Sequence, residues 1–217
     1  MVISPFLKLR VKTMNSQIKT MLEMQDAMNS KVTKDWRGQN YAWYRAIWIE
    51  CGELLDHYGW KWWKKQEPDM EQVVLELIDI WHFGLSILLV SAKNNDELAA
   101  QIEADLVIDA SGADFREAVE VFAEKTLATK SFSVASFGVL MGAAGLTFEQ
   151  LYASYVGKNV LNFFRQDKGY KEGNYIKNWD DGREDNEHLA EIVQQLDTSR
   201  ADFRDAVYNA LDSRYPK

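Results

Sequence analysis

The chain has 217 residues, 47% of them hydrophobic, which is enough to bury a core in one compact domain without disulfide staples. Its single cysteine, Cys51, excludes an internal disulfide framework and fits a reducing compartment, where we expect it to act as a small buried filler. The formal net charge of -8 argues against broad nucleic-acid binding, because duplex affinity comes mainly from basic contacts to phosphate.

The N-terminal residues 1–15 are mildly basic but lack the uninterrupted apolar stretch of a signal peptide. We therefore predict an N-terminal extension and a cytoplasmic protein, with Met14 as an alternative start and residues 1–13 as a frayed end. The longest apolar run, residues 73–90, is long enough to cross a bilayer, yet Glu76, Asp79 and His82 interrupt it at successive turns. Charged groups at that depth cost roughly 2.5 to 3.5 kcal/mol each, so we predict no membrane helix.

Helical spacing dominates the chain from residue 16 onward, and strand-like alternation is absent from every long segment. Only three prolines occur, so nearly all of the chain is free to be helical. We predict an all-α, multi-helix bundle in a single domain, residues 16–217. The predicted helices cover residues 16–30, 41–58, 69–90, 94–106, 111–127, 133–144 and 147–164, a short helix that ends near 196, and 201–211. Thr147 and Gln150 have the spacing of a capping box at the start of the helix 147–164.

Two acidic pairs lie on two of the most apolar predicted helices. Glu50 and Glu53 form the first pair, and Glu76 and Asp79 form the second. A three-residue step is slightly less than one helical turn, so each pair projects both carboxylates from one face. Four carboxylates that point inward must be protonated, ion-paired or neutralised by a cation. Oxygen ligands with no cysteine and little histidine suit Mg²⁺ or Mn²⁺, whereas the alternative is that these acids face solvent or pair with Lys and Arg.

Two segments concentrate cations beside aromatic residues. Residues 59–65 hold Trp60, Trp62 and Trp63 together with three lysines, which would offer a flat wall for a base and charge for phosphate. The alternative is a loop whose rings pack on the core. Residues 157–179 combine lysines and an arginine with tyrosines and glycines, as in a loop that folds over an oligophosphate, or alternatively in a simple exposed connection.

With both acidic pairs and this loop, the chain resembles the dimeric, all-α dUTPases and related phage dCTPases of the MazG-like nucleotide pyrophosphatase superfamily. The resemblance spans roughly residues 22–189. Its more specific motifs are Gln25 with Asn29, the aromatic segment 60–65, and the segment 158–186, which ends in Glu-Asp-Asn. The resemblance implies a homodimer and a Mg²⁺-dependent enzyme, with Mn²⁺ as an alternative cofactor.

The resemblance also implies a role for each matching residue. The Mg²⁺ ligands would be Glu50, Glu53, Glu76 and Asp79. The phosphates would be held by Lys158, Arg165, Tyr170, Lys177 and Asn186. The base and deoxyribose would be bound by Gln25, Asn29, Trp62 or Trp63, His82 and Phe83.

The residues and the resemblance agree on metal-assisted hydrolysis of a nucleoside triphosphate. Glu50 or Glu53 would accept the proton of the attacking water. Family behaviour implies that dUTP gives dUMP and pyrophosphate, and that dUDP gives dUMP and phosphate. The choice of base stays open, because an amide such as Gln25 or Asn29 can present either edge, so dCTP is an alternative substrate.

Two hypotheses come from other classes of protein. Asp79 and His82 have the acid-x-x-His spacing of di-iron helical bundles, although a second such pair is missing from the matching place. A non-catalytic helical interaction protein would instead use the aromatics as an interface and the acids as solvated faces.

Overall fold

A computed structural model describes the backbone of residues 5–108, 112–198, 200 and 202–216, with side chains from Met14 onward. Within these residues the secondary structure consists of helices and turns with no strand, which confirms the predicted all-α class. The helices are α1 (Pro5–Val32), α2 (Trp43–Tyr58), α3 (Met70–Ser91), α4 (Asn95–Asp105), α5 (Phe115–Thr129), α6 (Val134–Ala143), α7 (Phe148–Asp167), α8 (Asp185–Gln195) and α9 (Phe203–Arg214). A short 3-10 helix, Trp36–Gln39, precedes α2.

Two helices differ from their predicted bounds in an informative way. α1 begins at Pro5, so the helix predicted from residue 16 extends backward over residues 5–15. Proline is tolerated there because the N–H that it lacks would have no partner in the first turn. Residues 1–4 lie outside the described residues, and the predicted N-terminal extension stays a prediction. α9 continues to Arg214, past the predicted end at Leu211. The predicted first residues of the fifth and last helices, Ser111 and Ala201, lie outside the described residues.

Side-chain caps fix several helix starts where the sequence predicts them. The Asp69 carboxylate accepts a hydrogen bond from the Gln72 N–H at 3.2 Å and so starts α3. Thr147 and Gln150 exchange hydrogen bonds of 3.2 and 2.9 Å at the start of α7, which confirms the predicted capping box. These contacts are local in sequence, so the residue types alone were sufficient to predict them.

The chain divides into two compact units, residues 1–151 and residues 152–217. In the first unit α2 packs on α3, and α1 packs on both α3 and α4. The centre of this unit is α3, where Trp81 stacks on Phe137 with ring centroids 5.2 Å apart and meets Phe132 edge-on. α3 is long and apolar enough to cross a membrane, yet 61% of its most apolar window is buried within the protein, as in a core helix.

The second unit contains most of α7 together with α8 and α9. α8 and α9 pack together, and their buried side chains include Ile192 and Val207. α7 and α8 approach closely at Gly157, where a Cβ would lie 2.9 Å from a methyl carbon of Val193. The expectation that residues 16–217 form one domain stays a prediction.

Gly138 of α6 provides a test of packing in the first unit. A Cβ at this position would clash with the backbone carbonyl of Val107, which cannot move away as a flexible side chain can. We expect Gly138→Ala to lower the free energy of unfolding by about 1–3 kcal/mol, measured by urea denaturation. Gly52→Ala in α2 is the matched control, because a Cβ there meets no atom within 4 Å. Equal stability of the two variants would contradict the close approach.

Candidate active site

Three carboxylates converge where α2 packs on α3. Glu50 comes from α2, whereas Glu76 and Asp79 come from α3, and one oxygen from each lies within 4.8 Å of the others. Glu76 is buried, and the other two are half-buried. The structure thus brings together three of the four acids that the sequence predicts as metal ligands.

Burial, a hydrogen bond with Glu76 and the negative charges of Asp79, Glu53 and Glu76 together raise the pKa of Glu50 to about 8, and burial is the largest of these causes. Glu50 therefore retains a proton at neutral pH while the cluster holds no cation. Three hard oxygen donors around one point form a donor set that a divalent cation fits.

Glu53 lies outside the group of three converging carboxylates. Its side chain is exposed on α2, one turn beyond Glu50, although its charge contributes to the raised pKa of Glu50. Its predicted role as a metal ligand stays a prediction.

His57 is a neighbour of the cluster that the sequence analysis did not identify. Its Nε2 lies 3.4 Å from Oε1 of Glu76. His57 follows Glu50 by two helical turns on α2, and this spacing was the signal available in the sequence. A histidine at this distance can orient the carboxylate that it contacts.

A buried polar network joins α1 to α3. Nε2 of Gln25 donates to Oδ1 of Asn29 and to Oγ of Ser86, both at 3.0 Å. Asn29 donates to the same Ser86 oxygen at 3.0 Å, and Nδ1 of His82 lies 2.7 Å from Oε1 of Gln25. The structure therefore brings together three of the residues predicted to bind the base and sugar. Ser86 was missed, although it is a polar residue one turn after His82 in an apolar stretch.

Phe83 lies beside another aromatic residue of the same unit. Its ring lies 6.1 Å from that of Trp43, at the start of α2. Trp62 and Trp63 contact each other at 5.3 Å in the loop after α2, with 91% and 57% of their side chains exposed. The described ring contacts of Phe83 thus identify Trp43, which the sequence analysis did not single out. The predicted base contacts of Trp62 and Trp63 stay predictions.

In the second unit, an ion pair holds the start of α8 against the end of α7. Nε and Nη2 of Arg165 donate to the Asp185 carboxylate at 2.8 and 2.9 Å, and the Tyr175 hydroxyl donates to it at 2.7 Å. Burial alone would raise the pKa of Asp185, but the hydrogen bonds from Arg165 and Tyr175 outweigh it and hold that pKa below its ordinary value. Nη2 of Arg165 also lies 3.5 Å from Oδ1 of Asn186.

The other predicted phosphate ligands of this unit occupy α7 and the loop that follows. Lys158 lies on α7, and Tyr170 is 54% exposed just after that helix. Nζ of Lys177 pairs with Glu184 at 2.9 Å, with about half of each side chain exposed. Asp185 was quoted in the sequence motif without a role, and the structure shows it to be the anchor of this loop.

The comparison with protein families decides the assignment. The family model described as dUTPase matches residues 17–170, which is more than two thirds of the chain. The chain belongs to the all-α dUTPase family. It is accordingly a dUTP diphosphatase, a hydrolase of phosphoric anhydride bonds. No curated protein was found to match the chain.

The region of this dUTPase that matches the family includes the acidic cluster, the Gln25 network and Arg165. It ends before Lys177 and Asn186, although the resemblance was expected to continue to about residue 189. The family assignment argues against a non-catalytic interaction protein. The di-iron hypothesis has no support among the described residues, because His82 is not part of the acidic group and faces Gln25 instead.

The buried ion pair predicts a pH-dependent contribution to stability. We expect Asp185→Asn to lower the free energy of unfolding by about 3 kcal/mol at pH 7, because it leaves the Arg165 guanidinium without its partner charge. The folded pKa of Asp185 is lowered, so its contribution is present above the unfolded value of about 4 and is lost as pH falls through the folded pKa. Denaturant unfolding between pH 7 and pH 3 measures this difference between wild type and variant.

The matched control is Asp180→Asn, which changes an exposed carboxylate in the same loop. A difference between wild type and Asp185→Asn that stays constant down to pH 3 would contradict the role of the ionised Asp185.

Proposed function

We propose that this enzyme is a Mg²⁺-dependent pyrophosphatase that converts dUTP to dUMP and pyrophosphate, and dUDP to dUMP and phosphate. Such an activity limits the incorporation of uracil into DNA. The observation that carries the proposal is the convergence of Glu50, Glu76 and Asp79 within the region that matches the dUTPase family. We further propose a cytoplasmic homodimer, on the basis of the sequence and the family resemblance.

Glu50, Glu76 and Asp79 would hold the metal ion, and the oxygen donors favour Mg²⁺ or the similar Mn²⁺. When bound, the ion supplies charge that stabilises the phosphate oxygens and lowers the pKa of a water. Glu76 is oriented by His57 at 3.4 Å, which limits the directions in which its oxygens point.

Glu53 is the better placed of the two glutamates expected to accept the proton of the attacking water. It is exposed on the same helix as Glu50 and is not one of the three converging ligands. We therefore propose that Glu53 acts as the general base and that Glu50 acts as a ligand.

The base would be selected at the polar network of Gln25 and Asn29. One consistent assignment of protons satisfies the network: Nδ1–H of His82 donates to Gln25, and both amide groups donate to Ser86. The Ser86 hydroxyl in turn donates to the His82 carbonyl at 3.0 Å. These bonds favour one orientation of each amide, which supports discrimination between uracil and cytosine. dCTP stays the alternative substrate.

Release of pyrophosphate and phosphate from a panel of dUTP, dCTP, dTTP, dATP, dUDP and UTP tests the proposal, with Mg²⁺ and with chelator. We expect strong Mg²⁺-dependent release from dUTP and dUDP. Release mainly from dCTP would support the alternative substrate. Turnover of dUTP that persists in excess chelator would contradict the dependence on metal.

Asp79→Asn should reduce turnover of dUTP at least roughly a hundredfold, because it removes one ligand of the metal ion. The protein without metal should be as stable as wild type or more so, because one of the repelling charges is lost. Steady-state kinetics and thermal unfolding measure the two effects. Glu71→Gln, in the first turn of the same helix and exposed, is the control and should leave both unchanged. Near-normal turnover by Asp79→Asn would remove Asp79 from the site.

Lys177→Ala should weaken binding of a triphosphate more than binding of deoxyuridine, because the proposed role of Lys177 is to neutralise phosphate charge. Titration calorimetry with α,β-imido-dUTP and with deoxyuridine, each in the presence of Mg²⁺, gives the two affinities. Equal weakening of both would place Lys177 away from the phosphates. Lys171→Ala, an exposed lysine of the same loop with no proposed contact, provides the comparison.

A further inference from the structure

Tyr215 follows the last helix and packs into an aromatic cluster of the second unit. Its ring stacks on that of Tyr175, with centroids 5.5 Å apart and planes 24° apart. It also meets Phe164 of α7 edge-on at 5.2 Å and Trp179 at 5.8 Å. The residue that follows α9 therefore touches both α7 and the loop that joins α7 to α8.

The Tyr215 hydroxyl makes a hydrogen bond that the packing of its ring does not require. It accepts from the backbone N–H of Ile176 at 2.9 Å, across 39 residues of sequence. Ile176 is exposed and belongs to no helix, so its N–H has no helical partner. The bond fixes the backbone immediately before Lys177.

The other side of Lys177 is fixed as well. Its carbonyl oxygen accepts from the N–H of Asp185 at 3.0 Å, and its ammonium group pairs with Glu184 at 2.9 Å. The start of α8 thus holds one side of the Lys177 backbone, and Tyr215 holds the other.

A second contact keeps Tyr215 in place. Nζ of Lys168, just after α7, pairs with Asp212 of α9 at 2.6 Å and lies 5.5 Å from the centre of the Tyr215 ring. The end of α9 is therefore tied to the end of α7, and the position of the Tyr215 hydroxyl follows from that tie.

We propose that Tyr215 is a positioning residue for substrate phosphate, which acts by holding the Ile176 backbone so that Lys177 is presented to the phosphates. This inference rests on the proposed function, in which Lys177 binds phosphate. Tyr215 lies beyond residues 17–170, the region that matches the family. It is therefore a contribution of this chain's own C-terminal segment.

Tyr215→Phe tests the inference, because it removes the hydroxyl and keeps the ring. Calorimetry with α,β-imido-dUTP and Mg²⁺ should show affinity reduced by roughly threefold to tenfold, the effect of one lost hydrogen bond. Affinity for deoxyuridine should be unchanged. The Ile176 amide should exchange with deuterium faster than in wild type, in the protein without nucleotide. The matched control is Tyr208→Phe, which removes a hydroxyl bonded to Asp167 at 3.0 Å from a ring that also contacts Phe164.

A double-mutant cycle separates positioning from general stability. If Tyr215 acts through Lys177, adding Tyr215→Phe to Lys177→Ala should cause no further selective loss of triphosphate affinity. An undiminished further loss in that background would overturn the inference, as would equal losses in Tyr215→Phe and Tyr208→Phe. If Lys177→Ala loses triphosphate affinity selectively and Tyr215→Phe does not, only this inference fails. If the wild-type protein binds no triphosphate with Mg²⁺, the proposed function fails and this inference fails with it.

Discussion

Glu50, Glu76 and Asp79 place three carboxylates within 4.8 Å of one another between helices that are otherwise largely apolar. Burial removes water from around these groups, and burial, the hydrogen bond with Glu76 and the neighbouring negative charges together raise the pKa of Glu50. Without a cation, the folded chain tolerates the cluster by keeping a proton on Glu50. A divalent ion would replace that proton with a stronger compensating charge. The packing of α2 on α3 therefore holds three carboxylates together, and their fully ionised form requires a compensating cation.

α3 supplies most of the polar groups on which the site in the first unit depends. Glu76 and Asp79 contribute to the acidic cluster, whereas His82 and Ser86, one and two turns further on, belong to the network with α1. Such groups are costly in an apolar core unless they are hydrogen-bonded or bind a ligand. The stacking of Trp81 on Phe137 fixes the same helix in the core. Core packing thus sets the spacing between the acidic cluster and the network.

The features predicted well from the sequence depend on local spacing. The pairing of Glu76 with Asp79 on one face of α3 and the capping box of Thr147 with Gln150 need only the pitch of a helix, and the structure contains both. The features that were missed depend on which helices pack together. The contact of Trp43 with Phe83 requires α2 to pack on α3. Ser86 forms its hydrogen bond with Gln25 only because α1 packs against α3. The pattern of residues along one helix does not contain that information.

Arg165 shows why the charge that residues 157–179 present could not be predicted from the sequence alone. The sequence presents it as one of several cations available to an oligophosphate, yet Asp185 neutralises its charge through two hydrogen bonds. A guanidinium group has five N–H donors, so this pairing leaves donors that can still bind a phosphate oxygen while the net charge of the pair is zero. The Arg165–Asp185 pair therefore gives the loop its shape and adds no net positive charge to it. Asp185 and Tyr215 hold the backbone of this loop on either side of Lys177.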